Sequence, residues 1–456
     1  MTTVAVVLAA GKGTRMKSAL PKVLHPLGGD PMIGHVVRTA AAVAERTVVV
    51  VAPGADEVRA ALGDEVAFAE QGEQLGTGHA VVQALPALGA AERVLVLYGD
   101  VPLLTEDTLT RLLADVPADA VGVVTVRMPD PTGLGRMVRD DAGRVVRIVE
   151  ERDATDAERA IDEINSGIYV LPGARLAAWL ENLSSDNAQG EYYLTDVVTA
   201  AVAEGVAVQT IEAASADEVS GVNDRVQLAR LERVLQQRRA EALMREGVTL
   251  HDPARVDIRG TLTAGRDCEI DIDCVFVGEV SLGEGVRVGA HCVIEDAQIA
   301  DGTVIEPFTR IQKARVGAGA SVGPFARLRE GTVLGDRTKI GNFVETKKTT
   351  LGDGSKANHL AYLGDATLGA DCNVGAGTIT CNYDGVSKHP TVMGDGVFVG
   401  SNSTLVAPIE LGNGAYTAAG STITTEVPGQ SLAVGRARQR NIEGWKTPKA
   451  RSQDED

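Results

Sequence analysis

Along residues 1 to about 225, short aliphatic runs alternate with stretches whose apolar residues recur at helical spacing. Val4–Ala10, Thr47–Ala52, Arg93–Tyr98 and Ala120–Val126 read as strands buried on both faces. Met32–Val43 and Glu106–Asp115 carry the helical pattern between them. Strand and helix in alternation predict an α/β domain with a mostly parallel, Rossmann-like sheet and right-handed crossovers. In such sheets ligands sit outside the carboxyl ends of the strands. From Val226 to Glu246 the pattern changes: Leu228, Leu231, Leu235 and Leu243 fall near one helical face among charged residues. Asn223 or Asp224 can cap the start and Gly247 the end, which predicts one long linker helix over 226–246.

Beyond residue 247 the period becomes six. Steps of six from Val256 pass Leu262, Cys268, Cys274, Val280, Val286, Cys292, Gln298, Val304, Arg310, Val316, Val322, Leu328, Leu334 and Ile340, and all but Gln298 and Arg310 are apolar. A second phase runs through Met393, Val399, Leu405, Leu411 and Ile423. A hexad repeat fits neither helix nor hairpin; it predicts a left-handed parallel β-helix, each repeat forming one side of a triangular coil. The stacked aliphatic ladders are then its core. The period is interrupted near Glu345–Leu363 and near Cys381–Pro390. Interruptions in a solenoid are expected to project as loops, where binding residues collect. The chain thus divides into 1–225, the helix 226–246, and 247–456. A narrow coil stack suits a homotrimer, with sites completed by a neighbour.

Composition narrows the function. A chain of 456 residues exceeds one compact core, and its net charge of −18 disfavours nucleic-acid and anionic-membrane partners. The opening MTTVAVVLAAGKG has no basic region ahead of its apolar stretch, so it reads as a buried strand, not a signal peptide. No run of 18 apolar residues occurs. Five cysteines without a C-x-x-C pair disfavour disulfide frameworks and zinc sites. The expected location is the cytoplasm.

Directly after the first strand lies Leu8-Ala-Ala-Gly-Lys-Gly-Thr-Arg15-Met. It is neither a Walker A loop nor a dinucleotide fingerprint. It can present backbone N–H groups to a phosphate, followed by two cations, Arg15 and Lys22. Taken alone, such a loop serves equally well as a turn. The strand ending at Tyr98 places Asp100 on the same rim, as a helix cap or, beside a triphosphate, as a Mg²⁺ ligand.

These motifs, with Pro21-Lys22, resemble the sugar-nucleotidyltransferases. Glu73-Gln-Leu-Gly-Thr-Gly-His-Ala, Tyr98-Gly-Asp100, Asn165-Ser-Gly-Ile and Asn187-Ala-Gln-Gly-Glu-Tyr-Tyr-Leu-Thr-Asp narrow the resemblance. They are similar to the bifunctional bacterial UDP-N-acetylglucosamine pyrophosphorylase/glucosamine-1-phosphate N-acetyltransferases, over essentially the whole chain. The resemblance implies a nucleotide site made by Leu8, Ala9, Ala10, Gly11, Gln71, Gly76, Thr77, Tyr98 and Gly99. Gly135, Glu150 and Asn165 would line the N-acetylglucosamine pocket. Asp100 and Asn223 would coordinate Mg²⁺, and Arg15 and Lys22 would neutralise the triphosphate of UTP. Joining two anions at phosphorus asks mainly for positioning and charge neutralisation, with no protein nucleophile.

Acetylation of an amine by a thioester needs a base near neutrality, and histidine suits the task. His359 lies in the first interruption, near Lys347, Tyr362 and Asp365. The resemblance implies His359 as general base, and Arg329, Lys347 (or the adjacent Lys348), Tyr362 and Asn373 as ligands of glucosamine-1-phosphate. Ala376, Asn382, Tyr383, Ser401, Ala419 and Arg436 would contact acetyl-CoA as co-substrate. The products would feed cell-wall precursor synthesis. Two rival readings predict other sequences. A non-catalytic subunit would lose members of the set Arg15, Lys22 and Asp100, and none is lost. A scaffold-only β-helix would lack His359 and the Asn382-Tyr383 loop. The polar tail after Trp445 reads as disordered.

Overall fold

The structure, a computed structural model, describes residues 1–452 and divides into two compact units, Met1–Arg239 and the chain from Ala240 onward. The helix Arg225–Arg245 spans the junction. Asp224 caps it by accepting from the Val226 and Gln227 amides at 2.9 and 2.8 Å, and at its far end Gly247 adopts a positive φ of 101°.

The first unit is a nine-stranded sheet. Its main path runs Val208–Glu212, Val121–Arg127, Glu163–Pro172, Arg93–Tyr98, Thr3–Leu8, Arg46–Val51, Ala67–Glu70. Burial alternates by residue. Ala5, Val7, Leu95 and Leu97 join one core, Val4, Val6, Val94 and Val96 the other, so the sheet is covered on both faces. The sheet is mostly parallel, as expected, and one strand of the main path departs from this: Glu163–Pro172 runs antiparallel to both neighbours. An apolar run buried on both faces reads identically in either direction, so strand polarity was not in the pattern. The hairpin of Arg136–Arg139 and Val145–Val149, hung on the same strand, was also unforeseen.

The second unit is a left-handed parallel β-helix. Many sides contribute two inward residues, a small one followed two positions later by a larger aliphatic: Cys268/Ile270, Cys292/Ile294, Ala320/Val322, Ala326/Leu328, Cys372/Val374. At most corners the residue directly before the small one adopts the left-handed conformation, as at Asp267, Asp273, His291, Phe308 and Arg337, or at glycines such as Gly285. That conformation costs a non-glycine residue about 1–2 kcal/mol. At one corner a stack offsets it: the rings of His291, Phe308, Phe325 and Phe343 lie 4.8, 5.0 and 5.3 Å apart, an arrangement worth about 1 kcal/mol per pair.

Two expectations about the repeat fail for one physical reason each. Some sides are one residue short: Val275 pairs with Val293, but Ser281 pairs with Gln298. A fixed step of six therefore slides from the small ladder, which holds Cys292 and Ala297, to the large one, which holds Val316 and Val322. On the way it crosses Gln298, Val304 and Arg310; Gln298 and Arg310 are exposed and Val304 is half-buried. The interruption expected at Glu345–Leu363 is absent, since Glu345, Thr346 and Lys347 pair with Tyr362, Leu363 and Gly364 without a break. It looked polar because its core positions are hydroxyls. Thr349 and Ser355 are fully buried and donate to the carbonyls of Leu363 and Gly369 at 2.8 and 2.7 Å. Cysteines fill the same slot: the Cys268 and Cys274 thiols donate to Gly283 and Gly289. Burial pushes the Cys274 thiol up to about 12 and Cys292 to about 11. The second interruption is real, a hairpin between Ile379–Cys381 and Thr391–Met393. The tail expectation is corrected over Pro448–Ser452, which is helical; residues 453–456 lie outside the described residues.

Candidate active sites

In the first unit, the rim at the strand ends is fixed by backbone bonds. The Ala9 amide donates to Val50 and the Gly99 amide to Leu8, at 2.8 and 2.9 Å. An open cavity of about 290 Å³ lies there, lined by Leu8, Ala9, Ala10, Gly11, Lys22, Gln71, Gly76, Thr77, Tyr98 and Asp100. Gln74 and Glu191 line it too, and neither was foreseen from sequence. The Gln74 amide donates to the Ala10 carbonyl, bracing the glycine loop from below. A Cβ on Gly11 would meet nothing within 4 Å, so the loop's backbone is open to a ligand. Gly76 is a different kind of glycine. Its φ is 115°, and a Cβ would lie 2.6 Å from the Tyr192 carbonyl oxygen. Gln71 is buried, its amide donating to Gly76 at 3.1 Å.

Charge gathers at one end of the cavity. The Lys22 ammonium bonds the Asp100 carboxylate and reaches the Asn223 side-chain oxygen at 3.3 Å. These residues are far apart in sequence, and one bond aligns them: the Val222 amide donates to the Asp100 carbonyl at 2.9 Å, setting Asn223 beside Asp100. Arg15 is exposed on the short helix Thr14–Met16 and is not brought into the cavity wall.

Gly135, Glu150 and Asn165 are brought together. The Asn165 amide donates to Gly135 at 2.9 Å, and a Cβ on Gly135 would sit 3.5 Å from the Glu150 carboxylate. Burial first, then the neighbouring carboxylates Asp153, Asp196 and Glu191, push Glu150 above the ordinary range, against a 3.3 Å bond from Thr195. Burial likewise raises the Tyr98 hydroxyl. A half-buried acid of this kind, with no ion pair among the described residues, is a hydrogen-bonding group for a neutral polar ligand such as a sugar.

In the second unit, His359 lies on the strand Lys356–His359, not on a loop. Its Nδ1 is 2.8 Å from Asn342 Oδ1, one coil earlier in the ladder. An amide oxygen only accepts, so the contact fits a neutral ring protonated at Nδ1 with Nε2 as its acceptor nitrogen, on an exposed side chain. The next coils continue this corner. The amides of Gly377, Asn402 and Gly420 donate to His359, Ala376 and Ser401 at 3.3, 2.7 and 2.8 Å. Hence His359, Ala376, Ser401 and Ala419 form a single column. Asn342 precedes His359 in it by one coil and was missed; counting back one coil would have found it.

Cations stand one side away. Leu328 pairs with Thr346, which sets Arg329 one coil before Lys347. Arg329 bonds Glu345 at 2.8 Å, which holds its guanidinium above the usual value, and Lys347 meets Glu330 at 3.2 Å. Lys348 is at a corner with φ 47°, whereas Lys347 is on the strand beside Arg329. Tyr362 follows His359 around the corner on Tyr362–Gly364, and Asn373 lies on Asn373–Val374. Asn382 and Tyr383 open the hairpin, the Asn382 amide reaching Asp365 at 2.5 Å. Arg436 is exposed past the last ladder strand, Leu432–Ala433.

A phosphate-receptive rim on an α/β sheet, joined to a hexad solenoid bearing a basic histidine, defines a two-headed transferase. The profile of the MobA-like NTP transferase domain matches residues 5–248, that of the GMPPB C-terminal domain 258–344, and that of the bacterial transferase hexapeptide repeats 390–425. The bifunctional protein GlmU of Stutzerimonas stutzeri is 56% identical over 445 residues, covering 97% of this chain and 98% of the relative. GlmU of Azotobacter vinelandii is 57% identical with the same coverage. GlmU of Cupriavidus taiwanensis is 56% identical, again over 97% of this chain and 98% of the relative. The chain belongs to the GlmU family and is a bifunctional nucleotidyltransferase and acetyltransferase.

Proposed function

We propose that the solenoid acetylates glucosamine-1-phosphate with acetyl-CoA, and that the α/β unit then transfers UMP from UTP to the resulting N-acetylglucosamine-1-phosphate. The product, UDP-N-acetylglucosamine, would serve cell-wall precursor synthesis in the cytoplasm. Among the described residues no helix is long and apolar enough to cross a membrane. The observation that carries the reading is the corner column, in which a basic imidazole begins a row of small residues.

In acetyl transfer, the sugar amine attacks the thioester carbonyl. A C–N bond forms, the C–S bond breaks, and His359 Nε2 takes the amine proton and returns it to the departing thiolate. Asn342 holds the imidazole in the tautomer this requires. Arg329 and Lys347 bind the sugar phosphate by exchanging Glu345 and Glu330 for it, with Tyr362 and Asn373 holding the sugar. Ala376, Ser401, Ala419, Asn382, Tyr383 and Arg436 receive the acetyl donor.

In uridylyl transfer, a sugar-phosphate oxygen attacks the α-phosphorus and the bond to pyrophosphate breaks. Gln71 and the Leu8–Gly11 backbone hold uracil, Gly76 and Thr77 lie beside it, and Lys22 and Arg15 balance phosphate charge. Gly135, Glu150 and Asn165 hold the acetylated sugar. Asp100 and Asn223 would hold Mg²⁺. Their oxygens already share a cation, the Lys22 ammonium, and no group of three His, Cys, Asp or Glu among the described residues could hold a metal alone. That donor set suits an ion completed by substrate phosphates, which supplies charge neutralisation when bound.

A homotrimer is supported by the aromatic corner: Phe308, Phe325 and Phe343 are 51, 47 and 56% exposed, an apolar stripe that a neighbouring copy would cover. Thiol release from acetyl-CoA and pyrophosphate release from UTP, measured in one preparation, test the whole. His359→Ala is expected to remove the first, by about 10²–10⁴-fold, and spare the second. Loss of both signals in folded protein would refute the division of labour.

A further inference from the structure

The hairpin 382–390 leaves the solenoid between two ladder strands, and a surface insertion of this length must offset its own ordering entropy. One carboxylate organises it. Asp384 accepts from the backbone amides of Val386 and Ser387 at 2.8 and 2.7 Å and from His389 Nε2 at 2.7 Å. The Ser387 amide first, then His389, hold this carboxyl well below the ordinary range. The two ends of the hairpin are tied as well. The His389 amide donates to the Asn382 carbonyl at 2.8 Å, and Tyr383 forms an antiparallel bridge with Lys388. Tyr383 Oη donates to the Gly385 carbonyl at 2.5 Å, so the ring's direction depends on the turn that Asp384 shapes.

We propose that Asp384 and His389 form a clip whose role is to present Asn382 and Tyr383 to the acetyl donor. They are positioning residues; neither is required to touch the reacting atoms. The proposal rests on the reading of Asn382 and Tyr383 as donor contacts. Without the clip, the donor orders the hairpin as it binds and its affinity falls by that cost. The imidazole of His359 is unchanged, so the chemical step keeps its rate.

Initial rates of thiol release over a range of acetyl-CoA concentrations test this. His389→Ala and Asp384→Asn are expected to raise KM for acetyl-CoA about tenfold, the scale of one lost charge-assisted hydrogen bond. The kcat and the KM for glucosamine-1-phosphate should stay within about twofold. His389→Gln, which keeps an N–H within reach of the carboxylate, should recover much of the loss. Asn382→Ala and Tyr383→Ala separate the two levels of inference. If they raise KM for acetyl-CoA while the clip variants leave it unchanged, the clip is overturned and the donor contact stands. If all four leave it unchanged, the donor contact itself is wrong. A fall in kcat without a rise in KM in the clip variants would also overturn the proposal.

Discussion

The two units build their sites by opposite means. In the α/β unit, Lys22, Asp100 and Asn223 come from three distant segments and converge because strands end on one rim. In the solenoid, Asn342, His359, Ala376, Ser401 and Ala419 are related by the repeat itself. A convergent site depends on each loop that carries it. A repeated site depends on register, which the whole ladder from Thr249 to Ala433 enforces together. The first should therefore break by single removals of charge or by loop strain, and the second by loss of one column member.

The largest effect is expected from Asp100→Ala. Pyrophosphate release should fall at least about 10²-fold, because Lys22 loses its partner and the triphosphate end loses a cation-holding oxygen. Thiol release should be unchanged, and a parallel fall in both would erase the contrast. Next, Gly76→Ala forces a Cβ against the Tyr192 carbonyl at a φ of 115°. About 1–3 kcal/mol of strain should appear as weaker UTP binding by calorimetry, with acetyl transfer intact. Asn342→Ala should lower kcat for thiol release about tenfold by freeing the imidazole tautomer, a smaller loss than removing His359. An unchanged kcat would mean the column does not orient its base.

The smallest effect concerns Glu150. Its folded pKa is raised, chiefly by burial, so the folded unit binds this proton more tightly than the unfolded chain does. Stability from this carboxyl is full at pH below the unfolded value and is lost as pH rises toward the folded one. At pH above the folded value Glu150→Gln should thus raise the melting temperature of the α/β unit, because the buried charge is gone. Acceptor-sugar binding should weaken at the same time. A lowered melting temperature would show the carboxylate to be paired.

How much could be read from residues alone follows the same divide. The hexad pattern located the solenoid, but it placed His359 in an interruption where the structure has a ladder strand, and Ala376 came only from the resemblance. The pattern misplaced Gln298 and Arg310 because one-residue-short sides shift the count silently. It invented a loop at Glu345–Leu363 because Thr349 and Ser355 are polar by composition yet satisfied within the core. In the α/β unit the glycine loop and Asp100 stood out beside their strands. Gln74 and Glu191 did not, since nothing in their local sequence reports which cavity they face. The antiparallel strand Glu163–Pro172 escaped because burial has no direction.

The column at the His359 corner is also a ruler. Successive coils are one strand spacing apart, about 4.8 Å, so its graduations from His359 to Ala419 mark off roughly 14 Å along the prism. On the proposed assignment, a slender donor received by this column would have its reactive end set by counting repeats, not by the shape of a closed pocket. Inserting one further coil between Ser401 and Ala419 would keep every one of these residues and move the far contact a full graduation from the base.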